Sequence, residues 1–459
     1  MSQGNSFDVA VVGAGISGLL SALALSKEGR RVLVVEKEGH IGGVCRSYDV
    51  DGYTVDTGPH IITRMDSGPL KELMDRYFDV VPNFVPHGRY YVRINERTKP
   101  FPWSVKEWML FDLLPIEDRS LMMKTVFDII YMLSTGKDLS KVSVEDIVPK
   151  NLSQSTESFL EYLSYFMLGT SADNAPVARF LDRKGYKREK NSENNGLSIP
   201  YVGRLYNMLI GGRPSDQMYP RGGIQKIVDS IALSLPRSVQ LNLSESLVSI
   251  DVECEGEEEK VRGITTDKGE YTCDSVVYSG SATDIPELVG HDLPQEYVEN
   301  LKSIERVNSL TIWLGLDRKT FTRKGSEMWV STDPSRLHSW IIPTSNYDSH
   351  LAPKGRQLVG FAFIVPAGTS TGAVRKRAYE TIFTSMPELE KRVEMTHYQE
   401  LVPENACWSI NSGFGDVETP VGNLYCVGSS SVKRSMGLTR CSYSVLRMME
   451  LMGINGRAG

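Results

Sequence analysis

Gly13, Gly15 and Gly18 fall in the run Gly-Ala-Gly-Ile-Ser-Gly, and an acidic residue, Glu36, stands about twenty positions further on. That spacing suits the pyrophosphate of a dinucleotide. The first glycine permits a tight turn, the second lets phosphate approach the backbone, and the third lets a helix pack close to a strand. Glu36 can accept hydrogen bonds from a ribose, and its charge disfavours a 2′-phosphate, so NADP is not expected; FAD and NAD both fit. Gly42-Gly43 forms a glycine pair, able to turn backbone N–H groups toward an anion or a flat ring. No metal is expected: the seven histidines form no HExxH, and the six cysteines are scattered without a CxxC.

These residues need elements to hold them. Residues 7–12 are a short apolar run, read as a buried parallel strand. Residues 19–28 read as a helix ended by Gly29, and residues 31–35 as a second buried strand closed by Glu36. The whole is a βαβ unit whose helix N-terminus offers free N–H groups to phosphate. Residues 53–63 read as strand, turn, strand. Helices are expected at 70–77, 119–133 and 156–168, and a strand at 90–94. In the second helix Leu121, Met122, Val126, Ile129, Ile130 and Leu133 keep helical spacing; they read as the core face of a helical region, with a channel wall or a bilayer-dipping surface as the alternatives. Residues 182–195 read as an exposed polar loop.

Regular α/β pattern returns at Tyr219-Pro220-Arg221-Gly222-Gly223-Ile224. A helix follows at 224–235, then strands at 239–252, 261–265 and 270–278, with a charged turn at 255–260. Residues 309–316 and 358–365 are long β-prone runs, and 373–386 looks helical. A chain of 459 residues, 41% hydrophobic and 24% charged, is long enough for two or three domains. Its net charge of −6 argues against nucleic acid as a partner. The cysteine usage, a first strand within a few residues of the N-terminus, and no apolar run of about 20 residues fit a reduced, cytoplasmic protein. Peripheral membrane contact and self-association stay open.

The fingerprint, Glu36, Gly42-Gly43 and Asp56-x-Gly58-Pro59, in this order, resemble the start of the FAD-dependent amine oxidase, protoporphyrinogen oxidase and phytoene desaturase superfamily. The run Val55-Asp56-Thr57-Gly58-Pro59-His60-Ile61-Ile62-Thr63 is most similar to the phytoene-desaturase branch. Residues 418–429 resemble the closing FAD motif, a strand ending in Gly428, and Met436-Gly437 opens the helix that follows. The chain departs from the pattern in three places. Val44 stands where many members carry Arg, with Arg46 as a substitute. Ser429 replaces an acidic residue. Residues 430–435 replace a glycine-rich turn, and their Lys433 and Arg434 are read as solvated.

The resemblance implies FAD as cofactor and an α/β fold. A discontinuous Rossmann-type FAD-binding domain (1–68, 209–280, 395–459) would carry an α+β substrate domain of mixed sheet plus helices (69–208, 281–394). By position, Gly13, Gly15, Ile16, Ser17, Gly18, Glu36, Lys37, Gly42, Gly43, Arg46, Gly58, Pro59, Gly428, Ser429, Gly437 and Leu438 would bind the cofactor. Val248 would offer its backbone to the adenine, and the Gly437 helix would point at the flavin O2 region. His60 and Trp408 are candidates for the flavin-facing pocket; no other catalytic residue is legible. Cys407, beside Trp408, reads as a buried thiol, with a flavin thioether as the alternative.

The implied activity is an FAD-dependent dehydrogenase or oxidase that takes hydride from carbon of a bulky, mainly apolar substrate. The electron acceptor (O2, a quinone or NAD) stays open. A flavin amine oxidase is an alternative, although the expected strand region 304–316 lacks the Lys that such enzymes place near the flavin. A non-redox enzyme resembling UDP-galactopyranose mutase and an FAD-holding protein without turnover are the others.

Overall fold

Val9, Val11, Val32 and Val34 have no room for water, because their strands lie at the centre of a sheet covered on both faces. These strands, Ser6–Val12 and Val32–Glu36, pair in parallel. The computed structural model describes residues 6–181, 214–255, 258–365 and 369–454. The expected loop at 182–195 lies outside them. The first sheet has the strand order Leu247–Glu255, Glu258–Thr266, Glu270–Tyr278, Ser6–Val12, Val32–Glu36 and Gln240–Leu243. Leu424–Cys426 adds to it by pairing in parallel with Glu270–Tyr278, Val276 opposite Leu424. One continuous sheet therefore joins segments from both ends of the chain.

The helix Ile16–Lys27 is buried from Ile16 through Ser26. It is apolar nearly all round because the sheet lies on one side and the helices Gln225–Ser234, Gly437–Leu451 and Pro69–Tyr77 on the others. It begins three residues before the expected start, so Ile16, Ser17 and Gly18 form its first turn.

The second sheet is mixed, in the order Val393–Glu404, Val307–Leu316, Gln357–Val365, Ser339–Ile342, Gly325–Val330, Arg89–Ile94 and Arg97–Pro100. Only Gly325–Val330 and Arg89–Ile94 pair in parallel. Val374, Ala378 and Ile382 of the helix Thr371–Ser385 pack on one face of it. Residues 395–404, expected with the nucleotide segments, pair here with Val307–Leu316.

Three local expectations change. Residues 239–252 are two strands, because Ser244 adopts φ 53° and breaks the run. Residues 58–63 form no strand: Pro59 has no N–H, the Gly58 N–H bonds the Gln399 side chain at 2.8 Å, and Ile62 makes only an isolated bridge to Met218. In the helix Ile116–Ser134 the expected stripe does meet protein at Ile129, which is buried, but Leu121 is exposed. An opposite apolar face, Ile116, Phe127 and Tyr131, is 56–69% exposed. Among the described residues no helix is long and apolar enough to cross a membrane.

Candidate functional site

The glycine turn has the geometry that its spacing demands. A Cβ on Gly18 would stand 1.9 Å from the Gly13 carbonyl oxygen, so helix and strand approach as closely as they do only with glycine there. A Cβ on Gly15 would meet nothing within 4 Å, which leaves open space in front of the helix. No side chain caps that helix, so its first N–H groups keep their donors for an anion. Ser279, at the end of the strand Glu270–Tyr278, closes the turn from the far side: its hydroxyl donates to the Gly13 carbonyl at 3.2 Å.

Glu36 is buried, and both its oxygens hold backbone: the Ala14 N–H at 2.6 Å and the Glu38 N–H at 2.9 Å. It therefore tightens the glycine turn and keeps further lone pairs able to accept. Lys37 is exposed. The Gly42-Gly43 loop lies against the turn, with the Gly42 N–H donating to the Ala14 carbonyl at 2.8 Å. Arg46 packs over Gly42, and its Nη1 lies 2.7 Å from His40 Nε2, while Val44 is exposed. Val248 is the extra residue of a bulge in the strand Leu247–Glu255, with its side chain 58% exposed.

The closing segment reaches the same place. The Gly428 N–H donates to Ser444 Oγ at 2.9 Å, and a Cβ on Gly428 would sit 3.9 Å from Ser17 Oγ. The Ser429 hydroxyl accepts from the Asn405 N–H. The Gly437 N–H, expected to be open at the helix start, donates to Glu404 Oε1, and Leu438 is half-buried. Glu404 also pairs with Arg440 at 2.8 Å, and both are almost fully buried. The Arg440 guanidinium donates to the carbonyls of Ala406, Ser429 and Ser435, and so pins the turn from 429 to 435 from below. Sequence spacing gave no signal for this pair, because its partners come from different elements. Lys433 is exposed, but Arg434 stacks on the Tyr443 ring at 4.6 Å instead of standing free in water.

Asp56 explains its motif. It accepts from Ser47 Oγ at 2.6 Å, from the Ile224 N–H at 3.0 Å and from the Tyr219 hydroxyl at 2.7 Å. Gln399 ties the same loop to the second sheet, donating to the Asp56 carbonyl and accepting from the Gly58 N–H and Trp313 Nε1. Pro59 and His60 follow, half-buried. The His60 Nε2–H donates to the Thr57 carbonyl at 2.8 Å, leaving Nδ1 as an acceptor. Burial holds this imidazole below its usual pKa, against the pull of Asp56. Trp408 sits in a separate small core with Val144, Leu168 and Phe414. The Cys407 thiol faces the Leu168 carbonyl, and burial pushes it up to about 11, which keeps it protonated. Among the described residues no group of side chains could hold a metal ion.

Residues 16–385 match the family model described as flavin containing amine oxidoreductase. The zebrafish all-trans-retinol 13,14-reductase is 22% identical over 378 residues, 75% of this chain and 58% of that protein. The 1-hydroxycarotenoid 3,4-desaturase of Flavobacterium sp. is 25% identical over 291 residues, 58% of this chain and 55% of that protein. The chain thus spans under two thirds of the length of these two relatives. An oxidoreductase from Methanosarcina mazei has the same fold, with a TM-score of 0.75, 19% identity, and coverage of 96% of this chain and 99% of that one. Reduced UDP-galactopyranose mutase superposes with a TM-score of 0.67, 15% identity, and coverage of 98% and 94%. With a first sheet whose central strands pair in parallel, a mixed second sheet and this match, the chain belongs to the flavin-containing amine oxidoreductase family.

Proposed function

We propose that this protein is an FAD-dependent oxidoreductase of the phytoene-desaturase and protoporphyrinogen-oxidase type, taking hydride from carbon of a bulky, mainly apolar substrate. The observation that carries the reading is the single cradle built by Gly13–Gly18, Gly42-Gly43 and Gly428 from segments at both ends of the chain. The residues fit the cofactor: the uncapped helix start and the open space before Gly15 suit its pyrophosphate, and Glu36 suits its ribose. When bound, FAD supplies the hydride acceptor. The chain supplies position, exclusion of water, and a proton acceptor at His60 Nδ1, which burial keeps neutral. Against an amine oxidase, the strand Val307–Leu316 carries no Lys.

A second reading, a UDP-galactopyranose-mutase-like enzyme, draws on the Gly58-Pro59-His60 run and on a match of 53% identity over 62 residues to that enzyme of Mycoplasma genitalium, 12% of this chain. One experiment separates the two. The purified protein is expected to be yellow, and the Gly18→Ala variant colourless. Anaerobic mixing with a polyene or a porphyrinogen is expected to bleach the visible flavin band. No bleaching, with isomerisation of a UDP-sugar after dithionite, would favour the mutase; a protein that takes up no FAD would end both readings.

A further inference from the structure

The start of the helix Gly437–Leu451 lies among the glycine turns. Thr439 Oγ1 is 3.0 Å from Thr63 Oγ1, just beyond His60, and Ser444 takes the Gly428 N–H. The Cys441 thiol is hydrogen-bonded to the side chain of Ser17, in the first turn of the helix Ile16–Lys27. A bare helix start in that place would favour negative charge in front of it. This one is not bare. No acidic residue stands in its own first turn, and Met436 before it gives no side-chain bond. The second sheet supplies the acceptor instead. Glu404, the last residue of the strand Val393–Glu404, takes the Gly437 N–H with Oε1 and the Arg440 guanidinium with Oε2.

Both oxygens of Glu404 meet donors, and a protonated carboxyl would need an acceptor for its O–H, so the group is a carboxylate. Burial raises its pKa, and Arg440, the Gly437 N–H and Arg179 oppose that rise. The side chain is almost wholly out of water, where its field is weakly screened. Arg440 balances the charge but turns its other donors to the carbonyls of Ala406, Ser429 and Ser435, so it is Oε1 that confronts the helix start. Where the resemblance expects an acidic residue the chain has Ser429. The carboxylate stands at 404 instead, joined to the same turn through Arg440 and through the Asn405 N–H on Ser429 Oγ.

We propose that Glu404 is a positioning residue for the cofactor: by holding the Gly437 N–H it cancels the positive end of this helix, and so keeps that end from stabilising the added negative charge of reduced FAD. The inference rests on the FAD reading above and deepens it. It departs from the expectation that this helix end serves the flavin O2 region, because the carboxylate already uses what the ring would use. A cofactor held in this way is a weaker electron acceptor than one facing an open helix start, and a stronger donor once reduced.

The test is the midpoint potential of the bound flavin, read by equilibration of the FAD-loaded full chain with a reference dye. Glu404→Gln removes the charge and keeps the shape. It is expected to shift the bound flavin toward the reduced form by about tenfold or more, about 30 mV for a two-electron couple. That variant leaves Arg440 without its anion, so Glu404→Asp is measured beside it. Aspartate is one methylene shorter; it keeps Arg440 and gives up the Gly437 N–H. It is expected to fold and to shift the flavin in the same direction by about threefold or more. Should the Gln variant not fold, the Asp variant decides. A purely structural role would weaken oxidised and reduced FAD alike and leave the potential where it was. An unchanged potential in the Asp variant, or a shift toward the oxidised form in either, overturns the proposal. Bleaching by a donor without the shift sinks this inference alone. The shift without bleaching by any donor sinks the proposed reaction alone, and a protein that takes up no FAD sinks both.

Discussion

His87 illustrates what one side chain can cost a fold. It is fully buried and bonds Ser326 Oγ through Nε2, and nothing acidic meets Nδ1. Its pKa falls from 6.5 to about 3, and that of His338 to about 4, both through burial. The unfolded chain therefore binds a proton below pH 6.5 that the folded chain refuses. Stability is fully present above that pH and drains away as pH falls toward the folded values. At pH 5 each histidine should have removed about 2 kcal/mol. Urea denaturation at pH 7 and pH 5 checks this. His338→Gln is expected to lose less stability over that interval than the wild type by about that amount, and an identical loss would refute it. Neither histidine could be singled out from the sequence, because burial of this kind is a property of the assembled core. Glu36 and the fingerprint glycines could be, since their types and spacing fall within one βαβ unit, residues 7–36.

At the scale of elements, the helix Ile116–Ser134 has two apolar faces. One holds Ile129 against the protein, and the other leaves Phe127 and Tyr131 at 62% and 69% exposure. Helical spacing in the sequence identified the first face and overlooked the second, because a stripe says which residues share a side but not which side is covered. The outer face carries large apolar side chains of the kind that settle into a lipid headgroup region. Wild-type protein is expected to float with phosphatidylcholine vesicles, and Phe127→Ser with Tyr131→Ser to reduce the floated fraction several-fold. Equal flotation would dismiss the helix as a membrane contact. Strands are more legible than turns: residues 270–278 match their expected bounds, while the break at Ser244 depends on a single left-handed residue.

At the scale of the molecule, the two sheets are fastened by side chains that sequence patterns do not pair. Glu404 ends the last strand of the second sheet, and Arg440 belongs to the helix Gly437–Leu451, which packs on the helix Ile16–Lys27. Both are desolvated, and Arg440 has carbonyls for its remaining donors. Taking away one partner leaves a buried charge alone, so Arg440→Ala is expected to lower the unfolding free energy by about 3–5 kcal/mol. A loss below about 1 kcal/mol in chemical denaturation would show that the pair does not fasten the sheets. The fold class was legible in outline because the βαβ unit and the closing strand each carry local signals. The fastening was not, since it joins residues 404 and 440 through space.

The parallel pairing of Val276–Tyr278 with Leu424–Cys426 also fixes an order of events during synthesis. At roughly 5–20 residues per second, the ribosome takes several seconds or more to add the stretch between them. Throughout that time the edge of Glu270–Tyr278 that will receive the final strand waits without its mate, as does the groove that Gly428 will line. On the reading proposed above, the cofactor would be captured only once that strand and the Gly428 turn have arrived, and a chain cut short before Leu424 is expected to take up no FAD.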